Sequence, residues 1–334
     1  MSSPSTSTPT LDYLTPTTQQ QTGLSVGGIW RAGGMAIIFS ILFIAVSIFV
    51  PSFLSRANMT GLALSVATVG MISCTMLFCL ASGDFDLSVG SVVAMAGVLA
   101  AVVVNATGSV LLGITAALVA GAIIGFINGF VIAQLGINAL IATLATMRIA
   151  KGLALIVSGG PAVGISNPRF YNLGITSFLT IPTPVWIMIS CFIVFGVLLR
   201  QTTFGRNTLA IGGNAEAARL SGIGVRRIKI TIFALQGLMA AFAGVVLAAR
   251  MTSGQPNPSQ GLELQVISAC VLGGVSLSGG VGSMFGVIIG VLIMGVVQNA
   301  MNLRNINPFY QYVADGCILL AAVLLDRLQQ GRAR

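Results

Sequence analysis

The chain has 334 residues, of which 55% are apolar and only 7% are charged. A soluble domain carries about 25% charged residues, so this composition excludes a water-soluble globule and favours a protein that spans a membrane. The formal net charge of +9 does not indicate a nucleic-acid partner, because the basic residues lie between apolar runs and not on one solvated face.

The two ends of the chain are polar. Residues 1–28 are rich in Ser, Thr, Gln and Pro and have no basic stretch followed by an apolar core, so they do not resemble a cleaved signal peptide. Their composition predicts a disordered tail. Residues 327–334 form a short basic tail, and residues 29–326 are predicted to form one transmembrane domain.

Ten apolar runs lie between these tails, each about 14–27 residues long, against the roughly 20 residues that a helix needs to cross a bilayer. The predicted fold is an all-α integral membrane protein with about ten transmembrane helices. The run at 264–277 is the weakest, because it is short and continues into a glycine-rich stretch, and a broken or re-entrant segment is the alternative there. The runs are 34–50, 60–81, 87–104, 108–134, 137–157, 183–199, 230–249, 264–277, 283–302 and 309–325.

The basic residues predict the orientation, because inner loops of membrane proteins are enriched in Lys and Arg. With the N-terminus in the cytoplasm, the inner side holds Arg31, Arg200, Arg206, Arg219, Arg226, Arg227, Lys229, Arg327, Arg332 and Arg334. The outer side then holds only Arg56, Arg169, Arg250 and Arg304. Both termini and the loop 200–229 are therefore predicted to be cytoplasmic, and the segment 158–182 to be periplasmic.

The inner loop contains the stretch "NAEAARLSG", residues 214–222. Asn214 is a good N-cap, Glu216 suits the positive end of a helix dipole, and Gly222 is a natural stop. The alanines favour a helix and present little bulk. The stretch predicts a short two-turn helix at the inner membrane face, small enough to enter a groove on another protein.

The stretch "EAARLSG" resembles the EAA loop of bacterial ABC-type import permeases, whose short coupling helix docks into an ATP-binding subunit. The neighbouring "TTFGRNTLAIGGN" (202–214) resembles the version in the monosaccharide branch. Further blocks of the branch are "SGDFDLSVGS" (82–91), "INALIATLATMRIAKG" (137–152), "SGQP" (253–256) and "VLGGVSLSGGVG" (271–282). By this resemblance, the residues that couple the chain to the ATPase are Arg206, Asn214, Glu216, Ala217, Ala218, Arg219 and Gly222.

The resemblance also implies partners and a substrate. It implies a homodimer, an ATP-binding subunit that holds ATP and Mg²⁺, a periplasmic sugar-binding protein, and location in the bacterial inner membrane. The blocks 77–89, 249–256 and 298–313 are most similar to the arabinose members of the branch. The chain itself has no P-loop, because its two lysines, Lys151 and Lys229, do not follow glycine, and no cofactor of its own is expected.

A few polar residues lie in or beside the predicted spans and are candidates for the sugar path: Asp86, Asn138, Thr143, Thr146, Arg148, Lys151 and Asn299. For each of them a structural role remains the alternative. Asp84 and Asp86 can cap the run that follows, Arg148 and Lys151 can pair with other groups, and the neutral residues can join helices. The block at 273–283 echoes the Asp-Leu-Ser of the block at 82–91, which suggests a weak internal repeat.

Two other functions are alternatives to the importer. An ion-coupled secondary sugar transporter needs an ion site near mid-membrane, where only the cations Arg148 and Lys151 lie. A membrane enzyme lacks equipment for acid–base chemistry, since the chain has no histidine. The five cysteines lie inside apolar runs without CxxC spacing, so neither a metal site nor a catalytic residue is expected.

Overall fold

A computed structural model describes residues 26–257 and 261–331 of the chain, and these residues are mostly helical. The first half consists of five long helices joined by short loops. Apolar residues without a single proline run through each of them, so that no backbone hydrogen bond is lost inside a helix. The helices are α1 (Val26–Phe49), α2 (Arg56–Ala81), α3 (Val89–Thr107), α4 (Val110–Ala133) and α5 (Ala139–Ser158).

The segment between α5 and the next long helix is compact and irregular. It contains the strand β1 (Val163–Gly164), a 3-10 turn (Pro168–Tyr171), the one-turn helix α6 (Asn172–Ile175) and the hairpin strands β2 (Ser177–Phe178) and β3 (Ile181–Pro182). The strand β1 pairs with a distant strand, β4 (Ser253–Gly254). The segment 158–182 thus contains one short helix, α6, and four two-residue strands accompany the otherwise helical fold.

The second half begins with α7 (Thr183–Gln201), followed by two short helices, α8 (Thr203–Gly213) and α9 (Ala215–Leu220), and by the long α10 (Val225–Met251). Helix α8 was not predicted. Its apolar residues lie among glycines and a charge, which is the composition of a loop. Helix α9 lies where the short helix was predicted.

Three helices complete the chain: α11 (Leu262–Leu272), α12 (Met284–Leu303) and α13 (Pro308–Gly331). Helix α11 has only 11 residues, so it is about 16 Å long and cannot cross the hydrocarbon core alone. The span predicted at 264–277 is therefore a short helix, which agrees with the alternative of a broken segment. The basic tail predicted at 327–334 begins inside α13, and residues 332–334 lie outside the described residues.

The described irregular backbone between α10 and α11 lies inside the bundle. Gly254, just after α10, packs against Gly97 and Val98 in the middle of α3, where a Cβ atom would lie 2.6 Å from the Gly97 carbonyl oxygen. Glu263, at the start of α11, reaches the second residue of α3, Gly90. Non-helical backbone at this depth is tolerated only where surrounding protein shields it from lipid, and these helices provide that shield.

The core lies between α2, α3, α10, α11 and α12, whose facing residues are buried and apolar. Helices α4 and α10 cross with their backbones almost in contact, because Gly121 and Gly125 face Gly237 and the carbonyl of Phe233. Small residues permit such close packing, which stabilises helix pairs in membranes. A Cβ atom on any of these glycines would overlap the neighbouring backbone.

Among the described residues, seven helices are long and apolar enough to cross a membrane: α2, α3, α4, α5, α7, α10 and α12. Three further apolar helices are shorter by this measure, Gly34–Phe49, Leu262–Leu272 and Pro308–Leu324. Each of the ten predicted runs therefore coincides with an apolar helix, and over the described residues seven of these helices have the length and hydropathy of a full span. The predicted tail 1–28 lies outside the described residues, except that α1 already begins at Val26.

Candidate functional site

Helix α9 has the cap that the sequence predicts. The side-chain oxygen of Asn214 accepts hydrogen bonds from the backbone N–H groups of Glu216 and Ala217, at 3.0 and 2.9 Å. The helix ends at Leu220, and Gly222 takes a left-handed conformation with φ +83°, which glycine adopts without strain. The Asn214 cap and the Gly222 stop thus define a helix of six residues.

The exposed face of α9 carries a charged pair and an apolar side chain. Arg219 donates two hydrogen bonds to the carboxylate of Glu216, at 3.0 and 2.6 Å, and both side chains are exposed. The hydrogen bond from Arg219 holds the pKa of Glu216 below its ordinary value. Ala217 is exposed beside them, and the side chain of Leu220 is 77% exposed. This face can therefore offer both charge and apolar surface to a partner.

Ala218 does not belong to that face. Its coupling role stays a prediction, but with only 5% of its surface exposed it is buried against the chain itself. Ala218 is buried because α9 is rotated about its axis so that this residue faces the rest of the chain, and that rotation is set by tertiary packing. Leu220 takes its place on the exposed face, and Arg206 is exposed nearby in sequence on α8.

The end of α8, just before α9, packs where two loops meet: the α2–α3 loop (residues 82–88) and the α11–α12 loop (residues 273–283). Gly212, at the end of α8, packs directly against the carbonyl of Ala81 and the N–H of Gly280. Gly280 in turn donates a backbone hydrogen bond to Ala81, at 2.9 Å. Gly279 packs against both Gly212 and the N–H of Gly83. Three separate parts of the chain thus meet through backbone atoms, with no side chain between them.

The two loops contain the same type of turn. In the α2–α3 loop, Asp86 Oδ1 accepts a hydrogen bond from the N–H of Ser88, at 2.8 Å. In the α11–α12 loop, Ser276 Oγ accepts one from the N–H of Ser278, at 3.2 Å. The echo seen in the sequence therefore corresponds to the same side-chain-to-backbone turn in both places.

A buried ion pair joins the start of α10 to the α2–α3 loop. Lys229 Nζ lies 2.7 Å from Asp84 Oδ2, and the side chains are only 18% and 11% exposed. Burial raises the pKa of the Asp84 carboxyl above its ordinary value, and the nearby Lys229 ammonium opposes that rise. Asp84 is thus tied to the segment that follows α9.

A chain of hydrogen bonds leads from the same loop to α5. Ser88 Oγ donates to Asp86 Oδ1 at 2.6 Å and accepts from the amide of Asn128 on α4, at 3.1 Å. Thr146 on α5 donates to the other end of that amide, at 2.6 Å. Burial raises the pKa of Asp86, and the two bonds from Ser88 oppose the rise. Two of the predicted path residues, Asp86 and Thr146, therefore belong to one network.

The other predicted residues of α5 occupy different environments. Asn138 caps the helix, accepting from the N–H of Leu140 at 2.9 Å, and Thr143 is buried and donates to the carbonyl of Ala139 at 2.8 Å. Arg148 is exposed near the middle of the helix. Lys151 donates to the carbonyl of Pro256 at 2.8 Å and also contacts the side chain of Asn257. Arg148 and Lys151 therefore do not share a partner.

Asn299 lies apart from this network. Its amide makes a reciprocal pair with Asn58, with hydrogen bonds of 2.9 and 2.8 Å, which joins α12 to the first turn of α2. Asp315 on α13 accepts from Gln265 at 3.1 Å and from Gln298 at 3.2 Å. Both clusters connect helices, which is the alternative role that the sequence left open for such residues.

Among the residues that the structure describes, no group of three or more His, Cys, Asp or Glu side chains comes together to hold a metal ion. Two residues of this candidate site were not expected from the sequence: Lys229, as the partner of Asp84, and Leu220, as an exposed residue of α9. The signal for Leu220 is one bulky apolar residue in a helix otherwise made of small and charged ones.

The class of the protein follows from comparison with known families. Residues 58–323 match a family described as "Branched-chain amino acid transport system / permease component". The match covers most of the chain, so the chain belongs to this family of transport permeases.

Several relatives of the chain are named as sugar permeases. The "L-arabinose transport system permease protein AraH" of Escherichia coli (strain K12) is 58% identical over 314 residues, 94% of this chain and 96% of the relative. AraH of Azospirillum brasilense is 54% identical over 92% of each chain. The "Ribose import permease protein RbsC" of Bacillus subtilis (strain 168) is 42% identical over 92% of this chain and 96% of the relative. No solved structure matches the chain.

These matches confirm the resemblance to monosaccharide permeases that the motifs indicate. Together with the seven apolar helices, they also confirm the expected localisation in the bacterial inner membrane as a multi-pass protein.

Proposed function

We propose that this chain is the transmembrane permease subunit of an ATP-binding-cassette importer for L-arabinose. The observation that carries the proposal is α9, a capped helix of six residues that exposes Glu216, Ala217, Arg219 and Leu220 while its base is fixed to the bundle. Most side chains of this helix are exposed and available for contact with another protein. A partner that binds them can move the helix as a unit. The identity with arabinose permeases supports the choice of sugar.

In this proposal the ATP-binding subunit binds the exposed face of α9. That subunit holds ATP and Mg²⁺, and this chain holds neither. Closure of the two nucleotide-binding subunits on ATP pushes α9, and the helices above it alternate between an outward-open and an inward-open arrangement. The apolar helices then form the transmembrane bundle, with α11 as a short helix inside it and both termini in the cytoplasm, which agrees with the distribution of Lys and Arg.

A second copy of the chain completes the sugar path. Arg148 supports this, because it is exposed near the middle of α5, among the exposed apolar residues Ile141, Leu144 and Ile149. A cation that faces lipid at mid-membrane costs about 2.5–3.5 kcal/mol or more, so this face needs water or protein beside it. We infer that the α5 faces of two copies enclose a water-filled path, and that Arg148 lines it.

On the other side of the membrane, the segment 158–182 receives the periplasmic sugar-binding protein. The β2–β3 hairpin supports this role, since it presents Phe178 and Leu179, 65% and 70% exposed. The hairpin turn also holds two non-glycine residues, Leu179 and Thr180, at positive φ. Residues in this conformation are often found at functional sites.

The test is co-purification with the ATP-binding subunit, followed by ATPase and uptake measurements in liposomes. We expect the wild-type chain to retain the subunit, and ATPase activity to rise when arabinose-loaded binding protein is added. Leu220→Glu places a charge on the exposed face of α9, and we expect it to reduce retention of the ATPase about tenfold or more. The matched control, Leu179→Glu, also changes an exposed leucine and leaves retention unchanged.

The panel of sugars is arabinose, ribose, xylose and galactose. A wild-type chain that never retains an ATP-binding subunit contradicts the proposal. Sugar uptake by the chain alone, driven by an ion gradient without that subunit, indicates the alternative, an ion-coupled secondary transporter.

A further inference from the structure

The segment that contains α9 is attached to the bundle at both of its ends, once at the last residue of α2 and once inside the α2–α3 loop that follows. Before α9, Gly212 packs against the carbonyl of Ala81, at the entrance to that loop. After α9, Lys229 in the second turn of α10 pairs with Asp84 inside it, at 2.7 Å. A displacement of α9 therefore cannot leave the α2–α3 loop unmoved unless one of these contacts breaks.

The two attachments differ in kind. The Gly212 contact is between backbone atoms in tight packing, so it transmits a push from α8 but does not resist separation. The ion pair holds in both directions, because pulling Lys229 away from Asp84 leaves an uncompensated charge in a buried place. Of these two contacts, the ion pair is the one that can pull the loop back when α9 returns.

The α2–α3 loop is itself connected to α5. Asp86 accepts two hydrogen bonds from Ser88, Ser88 accepts one from Asn128, and Asn128 accepts one from Thr146. Asp86, Ser88 and Asn128 are each 1% exposed, so water does not compete for these bonds. Thr146 lies two residues from Arg148, on the helix whose exposed face we assign to the path.

We propose that the Asp84–Lys229 ion pair transmits the movement of α9 to the α2–α3 loop, and that the Ser88–Asn128–Thr146 hydrogen bonds carry it on to α5. This inference rests on the proposed function, since it assigns the contacts through which ATP-driven movement reaches the sugar path. Asp84 and Lys229 are positioning residues, which touch neither ATP nor sugar. Their role is to keep transport proportional to ATP hydrolysis.

The test measures the number of sugar molecules imported per ATP hydrolysed, with the permease, the ATP-binding subunit and sugar-loaded binding protein reconstituted in liposomes. The variants are Asp84→Asn, Lys229→Gln, the neutral pair of both, and the exchanged pair Asp84→Lys with Lys229→Asp. We expect each single variant to lower the ratio about tenfold while ATPase activity persists. The neutral pair lowers the ratio no further than either single change, because the same contact is already lost.

The exchanged pair separates transmission from simple stability. It restores an ion pair between the same two elements, so we expect the ratio to return to within about threefold of the wild type. A residue that only holds the fold changes the yield of folded protein and leaves the ratio unchanged. The neutral pair leaves no lone buried charge, so it provides folded protein even if one single variant does not.

The control is Asp315→Asn, which removes another partly buried carboxylate that Gln265 and Gln298 hold between helices. It lies outside the proposed route, and we expect the ratio to stay at the wild-type value. Unchanged ratios in Asp84→Asn and in the neutral pair, with wild-type transport intact, overturn this inference alone. Failure of the wild-type chain to retain the ATP-binding subunit overturns the proposed function instead.

Discussion

At the scale of single residues, the packing at the end of α8, just before α9, requires a residue without a Cβ atom. Gly212 and Gly213 are neighbours at the end of α8 and look equivalent in the sequence. A Cβ atom on Gly212 would overlap the carbonyl oxygen of Ala81, while one on Gly213 would meet nothing within 4 Å. The two positions therefore differ in packing although they share a residue type.

We expect Gly212→Ala to destabilise the protein by about 1–3 kcal/mol, because the clash is with backbone atoms that cannot turn away. The measurement is the melting temperature of the purified protein in detergent. Gly213→Ala is the control, and it should leave the melting temperature unchanged or slightly raised, since alanine favours a helix. Equal melting temperatures for the two variants would contradict the packing described at Gly212.

At the scale of elements, periodicity and composition predicted most of the fold. The apolar runs located every long helix, and Asn214 and Gly222 located α9, because these are local signals carried by neighbouring residues. Helix α8 was missed because it is stabilised by packing against other helices, with Phe204 beside Phe78 of α2 and Gly205 against Leu199 of α7. Its own glycine-rich sequence does not reveal these contacts. The β1–β4 pair joins residues about 90 positions apart in the chain, and no local sequence pattern predicts such a contact.

The candidate site divides in the same way. The cap of α9 was predictable, but the burial of Ala218 was not, because the rotation of a short helix is set by what lies beneath it. The Asp84–Lys229 pair joins a loop to a helix far along the chain, and the sequence shows only two isolated charges. Contacts of this type are fixed by tertiary packing, and they carry most of the route that we propose.

The exposed face of α5 leads to a prediction about water. If Arg148 lines an aqueous path, Arg148→Cys reacts with a water-soluble thiol reagent in membranes. The control is Ile41→Cys on α1, whose side chain is also exposed and lies among the apolar residues Ile37, Ile38 and Ile44. We expect it not to react, because lipid excludes the reagent.

Both cysteine variants are made with Cys317→Ser and Cys191→Ser, because Cys317 is exposed and Cys191 is half-buried, while Cys74, Cys79 and Cys270 are buried. Protection of Arg148→Cys by arabinose-loaded binding protein would further support a place in the sugar path. Equal, negligible reaction at both positions would mean that this face of α5 is covered by protein and does not line a path.

At the scale of the whole molecule, the loops fall into two groups at opposite ends of the bundle. The α2–α3 loop, α8, α9 and the α11–α12 loop contact one another at one end. At the other end, Asn105 binds Gly164 and Ser166, Arg304 binds the carbonyl of Phe49, and Asn167 binds that of Gly108. Successive helices thus run in alternating directions, which agrees with chain ends on the same side of a membrane.

This arrangement predicts which positions a membrane-impermeant maleimide reaches in intact cells with a permeabilised outer membrane. Thr180→Cys lies in the β2–β3 turn and should react, because the segment 158–182 faces the periplasm in the proposed orientation. Ser221→Cys, exposed at the end of α9, should react only after the inner membrane is opened. Both variants are made with Cys317→Ser, and that background alone reports reaction at the remaining cysteines. Labelling of Ser221→Cys from the outside would place α9 on the periplasmic side, where no cytoplasmic ATPase can bind it. That result would contradict both the proposed orientation and the coupling role of α9.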